Sequence, residues 1–523
     1  MFKEIYAKSL FFTILTCFSL CADAYNFIKD NIAYNITSKT NLEVEVTYTT
    51  TGGGGYGGTI NIPQTVIYGN NTYTVTGIDD YTFKGCRGIT KVSIPDGVTY
   101  IGPSAFYGCI GLTDLTLPDA LTSIGSSAFY ECTSLKNINI PENILSIGGE
   151  AFYGCNNMTG TINLASVTSI GGDAFNGCSS LNSIYIGGSV DCIEERTFWG
   201  CGSLTKISIP DGVTYIGLSA FYGCSSLTEI SIPDGVTSIA SSVFYGCSSL
   251  ASITLPKGIT AICEKTFGEC SSLVSVNIPD AVTSIEERAF YGCSSLSTVD
   301  IPDGVKSIGM QAFAYCSCLM SVTIPDSLLH IEQMAFSGCS SLTGITVPAA
   351  RSCEIGSNAF SDCSSLTSIS LGEGVYMVNS KAFSGCAAIN DVFCFGSPPV
   401  CSAGSYGMAT FDSIVYTRAT LHVPTDYKDK YASATVWKHF TNIIGDIEST
   451  GVNNVAIDNF SISQESGALR AEGLSDGEMM TVYEADGRMI GKAAAVGGSA
   501  RVDVHAGLFI VRIGNRSIKI VVH

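Results

Sequence analysis

The sequence predicts an α/β-type repeat solenoid dominated by β, with about 14 right-handed coils of 23 residues, flanking β modules and a C-terminal antiparallel β-sandwich. Three observations predict it. A Phe-x-x-Cys pair recurs in steps of 23 residues from Cys86 to Cys339, then at Cys363 and Cys386, with an aromatic three residues earlier from Phe83 to Phe383. Each pair sits in the same pattern of apolar residues. Beyond residue 446 that pattern stops, and short alternating segments take over.

The chain opens with MFKEIYAKSL, an apolar run LFFTILTCFSL and Ala22-Asp23-Ala24. This reads as a secretory signal peptide, residues 1–24, cleaved after Ala24, because the run is too short to span a bilayer. Cys21 follows Leu20, which is larger than the residue a lipidation signal wants, so lipidation is not expected. Residues 25–82 precede the repeats and end in INIPQTVIYGNNTYTVTGID.

Residues 83–392 hold the repeats, and LTKISIPDGVTYIGLSAFYG, from Leu204 to Gly223, decodes one coil. Leu204, Ile207 and Ile209 have the L-x-x-L-x-L spacing of a leucine-rich repeat strand, with Lys206 and Ser208 facing outward. Pro210 cannot donate to a ladder, and Asp211-Gly212 supplies the turn that ends the strand. Val213, Ile216, Ala220 and Phe221 point inward, and Ser-Ala-Phe is expected to form a turn of helix on the outer side. The fourth coil reads MTGTINL, where Gly160 is expected to bulge. The twelfth absorbs an extra residue after Pro348, in AARSC.

The whole pattern, L-x-x-I-x-I-P-x-x-V-x-x-I-x-x-x-A-F-x-x-C, resembles the BspA-like, or Treponema-type, leucine-rich repeat family of bacterial surface proteins. The flanks are similar to that family's architecture in the Bacteroidetes, which implies an N-terminal β capping module, residues 25–82, and a C-flanking cap, residues 393–446, with GSPPVCSAG, TLHVPTDYKDKY and VWKHFTNI. The resemblance implies a secreted or cell-surface protein that mediates adhesion to host proteins, other cells or glycans. It does not carry over a particular partner.

After a linker at 447–451, residues 452–523 read as a small sandwich, with turns at Asp486-Gly487 and Gly514-Asn515. VYEADGRMI and the closing AGLFIVRIGNRSIKIVV resemble the sorting domain of type IX secretion. That likeness implies passage across the outer membrane, followed by anchoring or release.

Two surfaces are candidate partner sites. On the strand face, Asn137, Asn139, Tyr185, Lys206 and Glu229 look outward; the competing reading is a merely soluble face. Next to the repeated Phe stand Tyr107, Tyr130 and Tyr153, then Trp199, Tyr222 and Tyr245. Such stripes can stack sugars, or the rings can pack on one another and only stiffen the coils. The periodic cysteines are expected as a ladder of buried free thiols, since parallel Cβ vectors suit a disulfide poorly. Cys394 and Cys401, flanking GSPPV, are the disulfide candidates.

The net charge of −19, from 27 Lys+Arg against 46 Asp+Glu, disfavours nucleic acid and acidic membranes. The partner expected is therefore an extracellular protein or glycan, with membrane contact only through anchoring. Repeated Asp-Gly pairs at Asp96, Asp211, Asp234 and Asp303 are explained by turn chemistry rather than calcium. No cofactor or metal is expected. The histidines, His330, His422, His439, His505 and His523, are widely separated, so no enzyme is expected. A passive spacer is the alternative to a binding protein, and polysaccharide capture a minor one.

Overall fold

The computed structural model describes residues 25–49, 55–347, 352–401, 409–448, 454–457, 460–465, 468–484, 489–504, 507–513 and 516–522. The signal-peptide segment and the AARSC irregularity up to Arg351 lie outside them. Contacts divide the chain into two units, Met1–Leu227 and Thr228–His523.

The first unit begins with an antiparallel meander, Phe27–Lys29, Ile32–Ser38 and Glu43–Thr47. Glu43–Thr47 then pairs in parallel with Asn71–Ile78, which pairs in parallel with Tyr100–Ile101 of the first full coil. The antiparallel start thus hands over to a parallel stack. Each coil contributes two short strands, where the sequence pattern suggested one. Gly57–Asn61, Gly88–Ser93 and Asp114–Thr116 pair along one ladder, and Thr161–Leu164, Ser183–Ile186 and Lys206–Ser208 along another stretch. The second ladder joins Tyr100–Ile101, Ser123–Ile124, Ser146–Ile147 and Ser169–Ile170. Its strands are two-residue units in which Ile points in and its neighbour out, the minimum expression of a period of two.

The outer side is not helical. A helical turn satisfies its amides internally, whereas coils stacked at strand spacing need donors aimed at the next coil. The chain alternates instead: Ser104, Phe106 and Gly108 donate to Ser126, Ala128 and Tyr130 of the next coil at 2.8, 2.7 and 2.7 Å. Between them, Ala105, Tyr107 and Cys109 donate back to Gly102, Ser104 and Phe106. This alternation puts at least one non-glycine residue per coil in the left-handed region, with φ of 54° at Ser104, 54° at Ser127, 58° at Glu150 and 58° at Asp173. Each costs roughly 1–2 kcal/mol, a strain offset by the extra inter-coil bonds it allows. Gly160 bulges as expected, at φ 89°, so that Ile162 pairs with Ile184 and the ladder stays in register.

The interior is two ladders wide. From Phe83 to Phe221 the rings stack with centroids 5.0–5.8 Å apart, all fully buried. Beside them, each thiol donates to the carbonyl of the Phe one coil back: Cys109 to Phe83, Cys132 to Phe106 and Cys155 to Phe129, at 3.1, 3.2 and 3.1 Å. These cysteines are free. Burial pushes Cys155 and Cys201 up to about 12, so the thiols keep the proton they donate.

The second unit repeats this plan. Glu229–Ser231, Ser252–Thr254, Ser275–Asn277, Thr298–Asp300 and Ser321–Thr323 form one parallel ladder, and the Phe stack runs from Phe244 to Phe411 at 5.0–5.7 Å. The parallel pairing continues past residue 392 into Thr420–Pro424 and Asn442–Glu448. The coils therefore number about 16 of about 23 residues, more than the Phe-x-x-Cys count, because coils in the flanks lack that mark. The outer ladder is capped where it stops: the Asp412 carboxylate accepts from the Gly385 amide at 2.9 Å and the Ser384 hydroxyl at 3.3 Å, and helix Ser413–Arg418 begins there.

The bridge expected between Cys394 and Cys401 is absent, and both are free thiols. Cys401 donates instead to the Pro399 carbonyl at 3.8 Å, and Cys394 is buried beside Tyr431, whose hydroxyl donates to the Gly396 carbonyl at 3.1 Å. Beyond the coils, Asn454–Ile457, Phe460–Glu465, Ala468–Glu472 and Ser499–Asp503 form one antiparallel sheet. Met479–Glu484, Met489–Ala494, Gly507–Ile513 and Arg516–Val522 form the other. Leu469, Met480, Val482, Val502, Phe509 and Val511 are packed in one core. Ile447 and Glu448, expected in a linker, pair in parallel with Ser517 and Ile518.

Candidate functional site

The strand face is set by the pleat: each inward Ile or Val fills the core, and its neighbours on either side stand in solvent. Ile207 is buried between exposed Lys206 and Ser208, and Ile138 between exposed Asn137 and Asn139. Tyr185, opposite Ser208 in the ladder, is 53% exposed. Lys91 and Asp114 pair across adjacent coils of this face at 2.7 Å, and Thr159 donates to Asn137 at 3.1 Å. In the second unit, Glu229 is exposed opposite Ser252. Lys206 and Tyr185 lie on neighbouring strands of this face, and the ring-bearing positions lie on the outer turns.

Those outer positions form a second surface. Tyr107 and Tyr130 stack at 4.5 Å with planes 1° apart, and Tyr130 and Tyr153 at 4.6 Å and 4°. Trp199 and Tyr222 stack at 5.6 Å and 29°. Burial and the neighbouring Tyr153, Tyr107, Glu131 and Glu150 push the Tyr130 hydroxyl up. The rings do pack on one another, yet they stay half-exposed, and Trp199 is 37% exposed. Tyr245 occupies the equivalent place in the second unit, also half-exposed.

The coil between the two stacks carries Asn176 at the ring position. Its side-chain amide is buried and donates to Asp173 at 2.6 Å. An open cleft of about 430 Å³ forms there, lined by Tyr130, Tyr153, Trp199 and Asn176, with Glu150, Asp173, Glu195 and Arg196 at its rim. Arg196 binds Glu195 at 2.9 Å and Asp173 at 3.7 Å, and these carboxylates, Glu195 first, raise its pKa. The candidate residues read from the sequence include Tyr130, Tyr153 and Trp199 of this cleft but not Glu150, Asp173, Asn176, Glu195 or Arg196. The available signal was a departure from the repeat at a position where both neighbours carry a ring, which in the first unit occurs at Asn176.

The chemistry-bearing group away from these surfaces is His422, buried in the C-flank. Its Nδ1 meets Asp446 at 2.8 Å and its Nε2 meets Asp391 at 3.2 Å, with Arg512 of the terminal domain 3.5 Å from Asp391. Burial pulls its pKa down, but the two aspartates outweigh burial and raise it. With both ring nitrogens held by carboxylates, His422 has none left to activate a nucleophile.

A parallel stack of strand coils with a polar, solvated face defines a leucine-rich repeat protein, a class whose repeats serve protein interaction or a surface role. The chain belongs to the BspA-type family. Its model, a BspA type leucine rich repeat region, matches residues 76–203, 158–274, 192–318 and 283–397. The crystal structure of a leucine-rich repeat protein from Bacteroides ovatus is 32% identical over 70% of this chain and 94% of its own, with a TM-score of 0.52. A leucine rich cell surface protein from Faecalibacterium prausnitzii is 28% identical over 70% of this chain and 94% of its own, with a TM-score of 0.45. No functionally curated protein matches. Among the described residues, no helix is long and apolar enough to cross a membrane.

Proposed function

We propose that the mature chain is an exported, surface-displayed adhesion protein that binds an extracellular protein or glycan over several coils at once. The observation that carries this reading is the strand face. Coil after coil, inward positions repeat one apolar type, while exposed positions vary through Asn137, Asn139, Tyr185, Lys206 and Glu229. Packing does not require that variety, and recognition uses it. The terminal sandwich serves, in this reading, as the sorting domain that delivers the chain to the outer surface.

The test is binding of the secreted chain to an array of matrix proteins and glycans, with Tyr185→Ala and Lys206→Glu alongside. Saturable binding that falls in either variant supports a recognition face. Absence of binding to every ligand favours the passive spacer, and binding confined to polysaccharides favours nutrient capture.

A further inference from the structure

The outer ring ladder of the first unit has one missing rung. Phe152, Phe175 and Phe198 continue the inner stack without interruption at 5.3 and 5.8 Å, so the gap at Asn176 is not a break in the fold. Two coil steps separate Tyr153 from Trp199, roughly 9–10 Å at strand spacing. Subtracting the contact thickness of two ring faces leaves about 6 Å, room for one slender or flat group.

The rim decides which kind. Three carboxylates, Glu150, Asp173 and Glu195, face one guanidinium, Arg196. Asp173 and Glu195 share that cation, while Glu150 accepts only from the Ser127 hydroxyl at 2.9 Å and meets no cation among the described residues. An electron-rich ring on either side and surplus negative charge at the mouth suit a cation with an apolar stem. A neutral sugar ring would use the stacking but not the charge.

We propose that this slot seats the cationic side chain of a protein partner, a lysine ammonium or an arginine guanidinium, between Tyr153 and Trp199, with Glu150 as its counter-ion. The proposal rests on the reading of the chain as a binding protein and names the chemistry that one part of its surface selects. Asn176 is the permissive residue: a tyrosine there, as in the coils before it, would close the slot while continuing the stack.

The chain contains two tryptophans, and Trp437 is fully buried, so emission changes on adding a non-quenching ligand report Trp199. The full mature chain is titrated with capped Gly-Arg and Gly-Lys repeat peptides, with citrulline and acetyl-lysine versions and a neutral oligosaccharide as controls. Saturable change with the cationic peptides alone is expected, weakened about tenfold by Asn176→Tyr and by Glu150→Gln. Thermal melting of Asn176→Tyr checks its fold, and Glu150→Gln, a surface change, stands as the independent variant. Equal response to neutral peptides or sugar, undiminished binding in both variants, or no saturable response overturns the slot. An array ligand lost in Tyr185→Ala but kept by Asn176→Tyr also overturns it, while leaving the adhesion reading intact.

Discussion

The repeated Phe and the residue next to it build two parallel ring stacks with different rules. The inner one admits no exception within either unit: every ring is buried, and every neighbour is 5.0–5.8 Å away. The outer one holds tyrosines and a tryptophan, with Asn176 in the first unit and Gly268, Ala314, Ser337 and Ser361 among its places in the second. The inner position is dictated by close packing, where a missing ring leaves a void. The outer rings are half-exposed, so replacing one by a smaller side chain that tucks in, as Asn176 does, costs less than losing a core ring and makes a new shape. Variation is thus tolerated where it can be useful.

Substitutions can break this comparison. Phe152→Ala should have the largest effect, about 3–5 kcal/mol for an aromatic lost from a packed core, read as a lowered denaturation midpoint. Asp412→Ala removes the acceptor from the Gly385 amide and should cost about 1–2 kcal/mol, seen as faster amide exchange at Phe383 and Gly385. Cys155→Ala leaves the Phe129 carbonyl without its thiol donor and should cost about 1 kcal/mol. Serine restores a donor at that site, so Cys155→Ser melting no higher than Cys155→Ala would remove the hydrogen bond from the account. Tyr107→Ala, at the end of a half-exposed stack where the Lys84 ammonium lies 4.8 Å over its ring, should cost about 1 kcal/mol. If it rivals Phe152→Ala, the two stacks are equivalent and the comparison collapses.

A buried group outside both stacks sharpens the contrast through pH. His422 has a raised folded pKa, so the stability it contributes is complete below its ordinary value of 6.5 and is lost as pH rises through the folded value. Melting of the C-flank followed against pH should therefore decline above about 6.5, and His422→Asn should flatten that decline. Tyr130 should add no such dependence in that range, because burial and its neighbours push its hydroxyl up from an already high ordinary value.

Much of this architecture is legible in the sequence. The period, the inward set Leu204, Ile207, Ile209, Val213, Ile216 and Phe221, the free thiol ladder, the Gly160 bulge and the terminal sandwich all follow from spacing, since a repeat unit has one way to bury a strand face. The outer turn was misread because Ser-Ala-Phe has the local look of a helix start, and only the neighbouring coil explains why Ser104 or Glu150 accepts a left-handed backbone. The extra coils escaped notice because Thr420–Pro424 and Asn442–Glu448 share the ladder but not the Phe-x-x-Cys mark. The cleft at Asn176 was visible as a gap in the list of rings, but its acidic rim was not. Glu150, Asp173 and Glu195 come from three coils, and their convergence is a property of stacking.

The thiol ladder gives this molecule an asymmetric lifetime in an oxidising medium. A closed coil keeps its cysteine protonated, hydrogen-bonded and beyond the reach of oxidants. An opened segment releases several such groups at once, strung at regular intervals along a flexible chain and able to join in many wrong combinations. Refolding competes with that scrambling, which only slow thiol–disulfide exchange can reverse. A population ageing outside a reducing compartment should divide into intact molecules and cross-linked, misfolded ones, and the clock is the rate at which coils open rather than the depth of the native well.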